Sequence, residues 1–74
     1  MQETLDLRGL RCPLPVLKVR KAVRALPPGS LVTVLVTDPS APEDFQDFCA
    51  LAGHHWLGEE VLADHSRLTL RLKT

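Results

Sequence analysis

Two prolines, Pro13 and Pro15, constrain what the first third of this 74-residue chain can become. Proline holds φ near the helical value and has no backbone N–H. It therefore fits a helix only in the first turn, where those N–H groups have no intrahelical partner. Val16, Val19, Val23 and Leu26 then recur at helical spacing as one apolar stripe, and Lys18, Arg20, Lys21 and Arg24 occupy the remaining surface. A helix opens at the prolines and stops at Pro27-Pro28-Gly29, a strong breaker. Leu14 precedes a proline, which disfavours helical geometry there, so Cys12 falls either at the N-cap or just before it.

The rest of the chain divides cleanly. Thr4 to Arg8 alternates polar and apolar residues, with Leu5 and Leu7 on one side, and reads as a short half-buried strand. Gly9 permits a turn. Ser30 to Thr37 is β-branched and almost continuously apolar, as a central strand is. Asp38-Pro39-Ser40-Ala41-Pro42 is a loop in which Asp38 could orient the turn. A second helix runs from about Pro42 to Gly53. Phe45, Phe48, Cys49 and Ala52 lie on its inner stripe, Ser40 is its candidate N-cap, and Gly53 is its terminator. Glu43, Asp44 and Asp47 put negative charge near its start, where the helix dipole favours it. His54 to Leu62 reads as a third strand with an irregularity at Gly58. Arg67 to Lys73 alternates with Leu68, Leu70 and Leu72 on one face, so one side of the sheet should meet water. The order β-α-β-α-β-β predicts an α/β two-layer sandwich: a mixed four-stranded sheet with both helices on one face. Residues 1–74 read as a single domain, with 45% apolar residues to build its core.

Charge is balanced overall but unevenly placed. Residues 1–37 carry six basic side chains against Glu3 and Asp6, residues 38–65 carry seven acidic ones and no Lys or Arg, and Arg67, Arg71 and Lys73 follow. Such asymmetry suits steering of a charged partner, although solvated faces account for it equally. No apolar run approaches the ~18 residues of a membrane span. Met1-Gln2-Glu3-Thr4 begins no signal peptide, so the expected compartment is the cytoplasm, where thiols stay reduced.

Cys12 is the candidate chemical residue. A helix N-terminus carries roughly half a positive charge, and Arg11 is adjacent with Arg8 nearby in sequence. Together these predict a lowered pKa and more of the nucleophilic thiolate. Cys49 shares the stripe of Phe45 and Phe48 and reads as a core thiol. His54, His55 and His65 complete no ligand set, so no metal is expected. Phosphate-binding glycine patterns and nucleic-acid motifs are absent. With only Phe45, Phe48 and Trp56 as aromatics, base stacking is not expected.

The stretch Gly9-Leu10-Arg11-Cys12-Pro13-Leu14-Pro15, the basic run Arg20-Lys21-Ala22-Val23-Arg24, Asp38-Pro39 and the helix ending in Phe48-Cys49 resemble the TusA family of sulfur carriers. The family's signature is Cys-Pro-x-Pro at the start of the first helix, and the resemblance covers nearly the whole chain. It implies that Cys12 accepts sulfane sulfur as a persulfide from a protein donor, either a cysteine desulfurase or a rhodanese-like protein. It also implies a downstream sulfurtransferase as acceptor, as in 2-thiouridine formation at the tRNA wobble position. Related members serve molybdenum-cofactor synthesis or sulfur oxidation. The pyridoxal cofactor would belong to the donor, so none is expected on this chain, nor is a membrane partner or direct nucleic-acid binding. Two rival readings stand beside this one. The first is a non-catalytic module docking protein or RNA through Lys18, Lys21 and Arg24. The second is a redox protein with a Cys12–Cys49 disulfide.

Overall fold

The computed structural model describes all residues, 1–74. In chain order they form β1 (Gln2–Asp6), α1 (Leu14–Val23), β2 (Leu31–Val36), α2 (Ala41–Ala52), β3 (His55–Val61) and β4 (Ser66–Arg71). The sheet order is β1-β2-β4-β3. β1 pairs parallel with β2, whereas β4 runs antiparallel to both β2 and β3. Strands β1, β2 and β3 thus share one direction, and β4 fills the gap between the last two. The expected mixed sheet with two helices is present.

Period-two alternation fixes which face is buried. Val32, Val34 and Val36 of β2, Leu68 and Leu70 of β4, and Leu72 just beyond pack against Val19 of α1 and Ala41, Phe45 and Cys49 of α2. Leu7 closes one end of this core, its N–H donating to Leu35 O at 2.9 Å beyond the formal end of β1. β2 is less uniformly buried than its apolar composition implies: Leu31, Thr33 and Leu35 are only half-buried. They lie on the face away from the helices, where Leu31 is opposite Arg71 and Leu35 opposite Arg67. The aliphatic stems of long basic side chains can cover such leucines while the guanidinium stays wet.

Two element limits differ from expectation: β1 spans Gln2–Asp6 rather than Thr4–Arg8, and α1 ends at Val23, before Leu26 of its expected stripe. α1 begins at Leu14 although Pro15 follows it, because Pro13 takes the N-cap position with φ −96° and ψ 11°. Cys12 therefore lies one residue before the cap, and the Cys12–Pro13 peptide is cis. In β3 the register against β4 shifts between Trp56 and Gly58, the irregularity expected there. α2 ends as its sequence indicates. Gly53 adopts φ 82°, a conformation open to glycine, and donates its N–H to Cys49 O at 2.9 Å. No helix is long and apolar enough to cross a membrane.

Candidate functional site

Two segments distant in sequence meet at Cys12: the β1–α1 loop, and the β2–α2 loop with the first turn of α2 that continues it. Gly9 turns the chain out of β1 at φ 84° and donates its N–H to Thr37 Oγ1 at 2.9 Å, tying the first loop to the end of β2. The Cys12 N–H then donates to Asp38 Oδ2 at 2.5 Å. The other oxygen of Asp38 accepts from Ser40 N–H at 3.0 Å and Ser40 Oγ at 2.9 Å. Those bonds from Ser40 and from the Cys12 amide hold the Asp38 carboxyl below its ordinary range, with the charge of Arg11 assisting. Asp38 thus orients its own turn and also anchors the backbone of Cys12.

Ser40 stands at the N-cap position of α2, yet its hydroxyl makes no cap hydrogen bond. It is committed to Asp38, and it also lies 3.4 Å from Asp44 Oδ2. Its carbonyl accepts the Asp44 N–H at 3.0 Å, beginning the helix.

Cys12 is exposed and free, and Cys49 is buried and free in the core, 2% exposed. An open groove of about 510 Å³ runs from Cys12 between the two helices. Pro13, Val16, Phe48, Leu51 and Ala52 line it with apolar surface, and Arg20, Asp44 and Asp47 add charge. Leu51 is 90% exposed, an unusual position for a large apolar side chain. The basic and acidic thirds of the sequence do not form opposite poles here, because α1 and α2 lie side by side and bring Arg20 to the same groove as Asp44 and Asp47.

The electrostatics of Cys12 differ from the sequence expectation. Its pKa is raised rather than lowered. The nearby Asp44 carboxylate is the leading cause, followed by desolvation and by the charge of Asp38; the Ser40 hydroxyl opposes them. Two features of the sequence explain the difference. Arg8 is held by Asp6 through Nε to Oδ1 at 2.9 Å and Nη2 to Oδ2 at 2.8 Å, which lowers the Asp6 pKa to about 2. The prolines that admit α1 also strip donors from its mouth: Pro13 and Pro15 have no N–H, and Leu14 donates its own to Arg11 O at 2.8 Å. Few N–H groups remain to stabilise an anion there. Asp44 was legible only as helix-start charge, because its approach to Cys12 depends on how α2 packs beside α1.

The histidines lie apart from this site. His54 packs tilted against the Phe48 ring, with centroids 5.4 Å apart, and accepts the Lys73 N–H through Nδ1 at 3.1 Å. His55 is exposed on β3. His65 Nδ1 lies 2.6 Å from Asp64.

Comparison with known proteins agrees with this architecture. The family described as "Sulfurtransferase TusA" matches residues 3–72. A chain from Neisseria meningitidis serogroup A is 52% identical over 52 residues, 70% of each chain. The sulfur carrier protein TusA of Pseudomonas entomophila is 46% identical over 57 residues, covering 77% of this chain and 71% of that one. The crystal structure of a SirA-like protein from Desulfitobacterium hafniense superposes with a TM-score of 0.78 at 28% identity, covering 97% of this chain and 99% of the other. With residues 3–72 matched and the two-layer fold shared, this chain belongs to the TusA family of sulfur carriers.

Proposed function

We propose that Cys12 carries sulfane sulfur as a persulfide between two protein partners. The observation that carries this reading is an exposed, free cysteine immediately before the N-cap of α1, in a chain of the TusA family. A relay cysteine must be reachable by a second protein's sulfur and must release its cargo to a third. Cys12 meets the first need by its exposure, and the open groove beside it leaves a bound sulfur accessible.

The chemistry balances without an external oxidant. The Cys12 sulfur attacks the terminal sulfur of a donor persulfide. The donor's S–S bond breaks as the new S–S bond forms on Cys12, and the Cys12 proton ends on the donor's departing thiol. The same exchange with an acceptor thiol unloads Cys12. The donor is a cysteine desulfurase or rhodanese-like protein, and the pyridoxal chemistry of a desulfurase stays with that protein. The acceptor is a downstream sulfurtransferase, with tRNA wobble thiolation as the leading pathway. The reducing cytoplasm suits this chemistry.

The test is intact mass after incubation with a cysteine desulfurase, pyridoxal phosphate and cysteine, followed by peptide mapping. The expected result is one added sulfur atom on the Cys12 peptide, removable by a reducing thiol. It should be absent in Cys12→Ser and retained in Cys49→Ser. Loading that persists in Cys12→Ser overturns the assignment.

A further inference from the structure

We infer that Thr37 is a positioning residue for the sulfur relay. Its hydroxyl, beside the Asp38 carboxylate, holds the backbone around Cys12 in one place, so that the sulfur of a docked partner meets the Cys12 sulfur without a search. This deepens the relay reading of Cys12 and rests on it.

The pairing of β1 with β2 does not stop where the strands do. Leu5 is level with Val34 in the parallel register, and the Leu7 N–H donates to Leu35 O at 2.9 Å. Two residues on, Gly9 turns the chain away at φ 84°, and its N–H donates to the Thr37 side chain, Oγ1 at 2.9 Å, in place of a carbonyl. The Cys12 N–H then donates to the next side chain, Asp38 Oδ2 at 2.5 Å. Consecutive side chains thus extend the ladder across a gap that the backbone carbonyls no longer span, and they satisfy two loop N–H groups in doing so.

The anchors are themselves held. Thr37 directly follows Val36, which is 1% exposed in the core. The carboxylate of Asp38 accepts from Ser40 N–H at 3.0 Å and Ser40 Oγ at 2.9 Å. Between the two tied amides, Leu10 packs against the core, and the Arg11 carbonyl accepts the Leu14 N–H at 2.8 Å. The loop backbone is therefore fixed at each residue from Gly9 to Cys12, while the Cys12 side chain stays exposed. Threonine suits the post at 37. Its β-branched side chain is stiff at χ1, and it carries no charge, so the hydroxyl stays in place without altering the potential at the thiol.

Such a clamp matters most when the incoming sulfur is carried by a protein. A small reagent reaches an exposed thiol from many directions. A docked donor presents its terminal sulfur at one point, and exchange needs the attacking sulfur aligned with the S–S bond that breaks. Misplacement by about 1 Å costs such a step up to about a hundredfold.

The experiment compares wild type with Thr37→Val, which keeps the shape and loses the hydroxyl, and Thr37→Ser, which restores the hydroxyl. Each is mixed with an excess of cysteine desulfurase already charged with its persulfide, quenched at intervals and scored for one added sulfur by intact mass, over a range of desulfurase concentrations. The same three proteins are alkylated at Cys12 with iodoacetamide. At saturating desulfurase, Thr37→Val should load about tenfold more slowly, and Thr37→Ser should recover to within about twofold of wild type. The half-saturating concentration and the iodoacetamide rate should match wild type in both variants. Amide exchange at Gly9 should speed up in Thr37→Val alone. Equal maximal loading rates in wild type and Thr37→Val, or unchanged exchange at Gly9, overturn the inference and leave the relay standing. A shift confined to the half-saturating concentration makes Thr37 a docking contact, and a parallel fall in the iodoacetamide rate makes it a modulator of the thiol; either result overturns the inference, as does failure of Thr37→Ser to recover. A wild type that takes no sulfur retires the relay reading, and the inference goes with it.

Discussion

The backbone N–H of Cys12 and the carboxylate of Asp38, 26 positions apart in sequence, are joined at 2.5 Å. One hydrogen bond therefore ties the loop before α1 to the loop before α2. Asp38→Ala should lower Tm at neutral pH and leave the Cys12 loop more mobile. The pH dependence follows from the sign of the shift. The folded-state pKa of Asp38 lies below its ordinary 3.8, so its stabilisation is present above that pH and is lost as pH falls through the folded value. Thermal melts from pH 7 down to pH 2 should show a shallower acid decline in the variant than in wild type.

Gly9 offers a separate handle on the same loop. A Cβ placed there meets no atom within 4 Å, yet its φ is +84°. Gly9→Ala should therefore cost only backbone strain, about 1–2 kcal/mol. Urea denaturation checks the value, and a cost well above that range would mean that packing is also disturbed.

The core has a clear keystone. Phe45 is fully buried and meets Phe48 edge to face, with centroids 6.4 Å apart at 88°. Phe45→Ala should cost about 3–5 kcal/mol. That is a large share of the roughly 4–11 kcal/mol expected of a domain this small, at about 0.05–0.15 kcal/mol per residue. Circular dichroism should find the variant largely unfolded at 37 °C. Cys12→Ser, at an exposed position, should melt with wild type.

His54 makes stability sensitive to mild acid. Its pKa is lowered by burial, with Lys73 and His55 adding repulsion, and its Nδ1 accepts the Lys73 N–H as neutral imidazole does. The unfolded chain binds the proton more readily, so stability should fall as pH drops through about 6.5. His54→Phe should lower Tm at pH 7.5 by losing the Lys73 bond. It should also show a smaller further drop between pH 7.5 and 5.5 than wild type.

The fold was legible because its punctuation is strong. Gly53 ends α2 where expected and the leucines of β4 alternate without interruption, whereas α1 stops at Val23, ahead of the Pro27-Pro28-Gly29 breaker. Cys12 was legible from its place between Gly9 and the prolines. Its electrostatic surroundings were not, for a physical reason. Nearest neighbours in sequence, Arg8 and Arg11, suggest positive potential, whereas the groups that act on the thiol, Asp44, Asp38 and Ser40, come from α2 and the loop before it. Asp6 had already engaged Arg8 two residues away, a local pairing the sequence offered in plain sight. The approach of Asp44 depends on the packing of α1 against α2, and no local pattern encodes that.

The insertion of β4 between β2 and β3 bears on how the chain is made. β4 follows every other element in the sequence but occupies an interior place in the sheet. During synthesis β1 and β2 can pair as soon as β2 has emerged, while β3 has no neighbour to join until β4 emerges. Leu68, Leu70 and Leu72 arrive last and fill the middle of the core. A nascent chain stopped before residue 66 would leave a two-stranded β1–β2 sheet, an unpaired β3 and an uncovered face of α2. Emergence of β4 and closure of this core are one event.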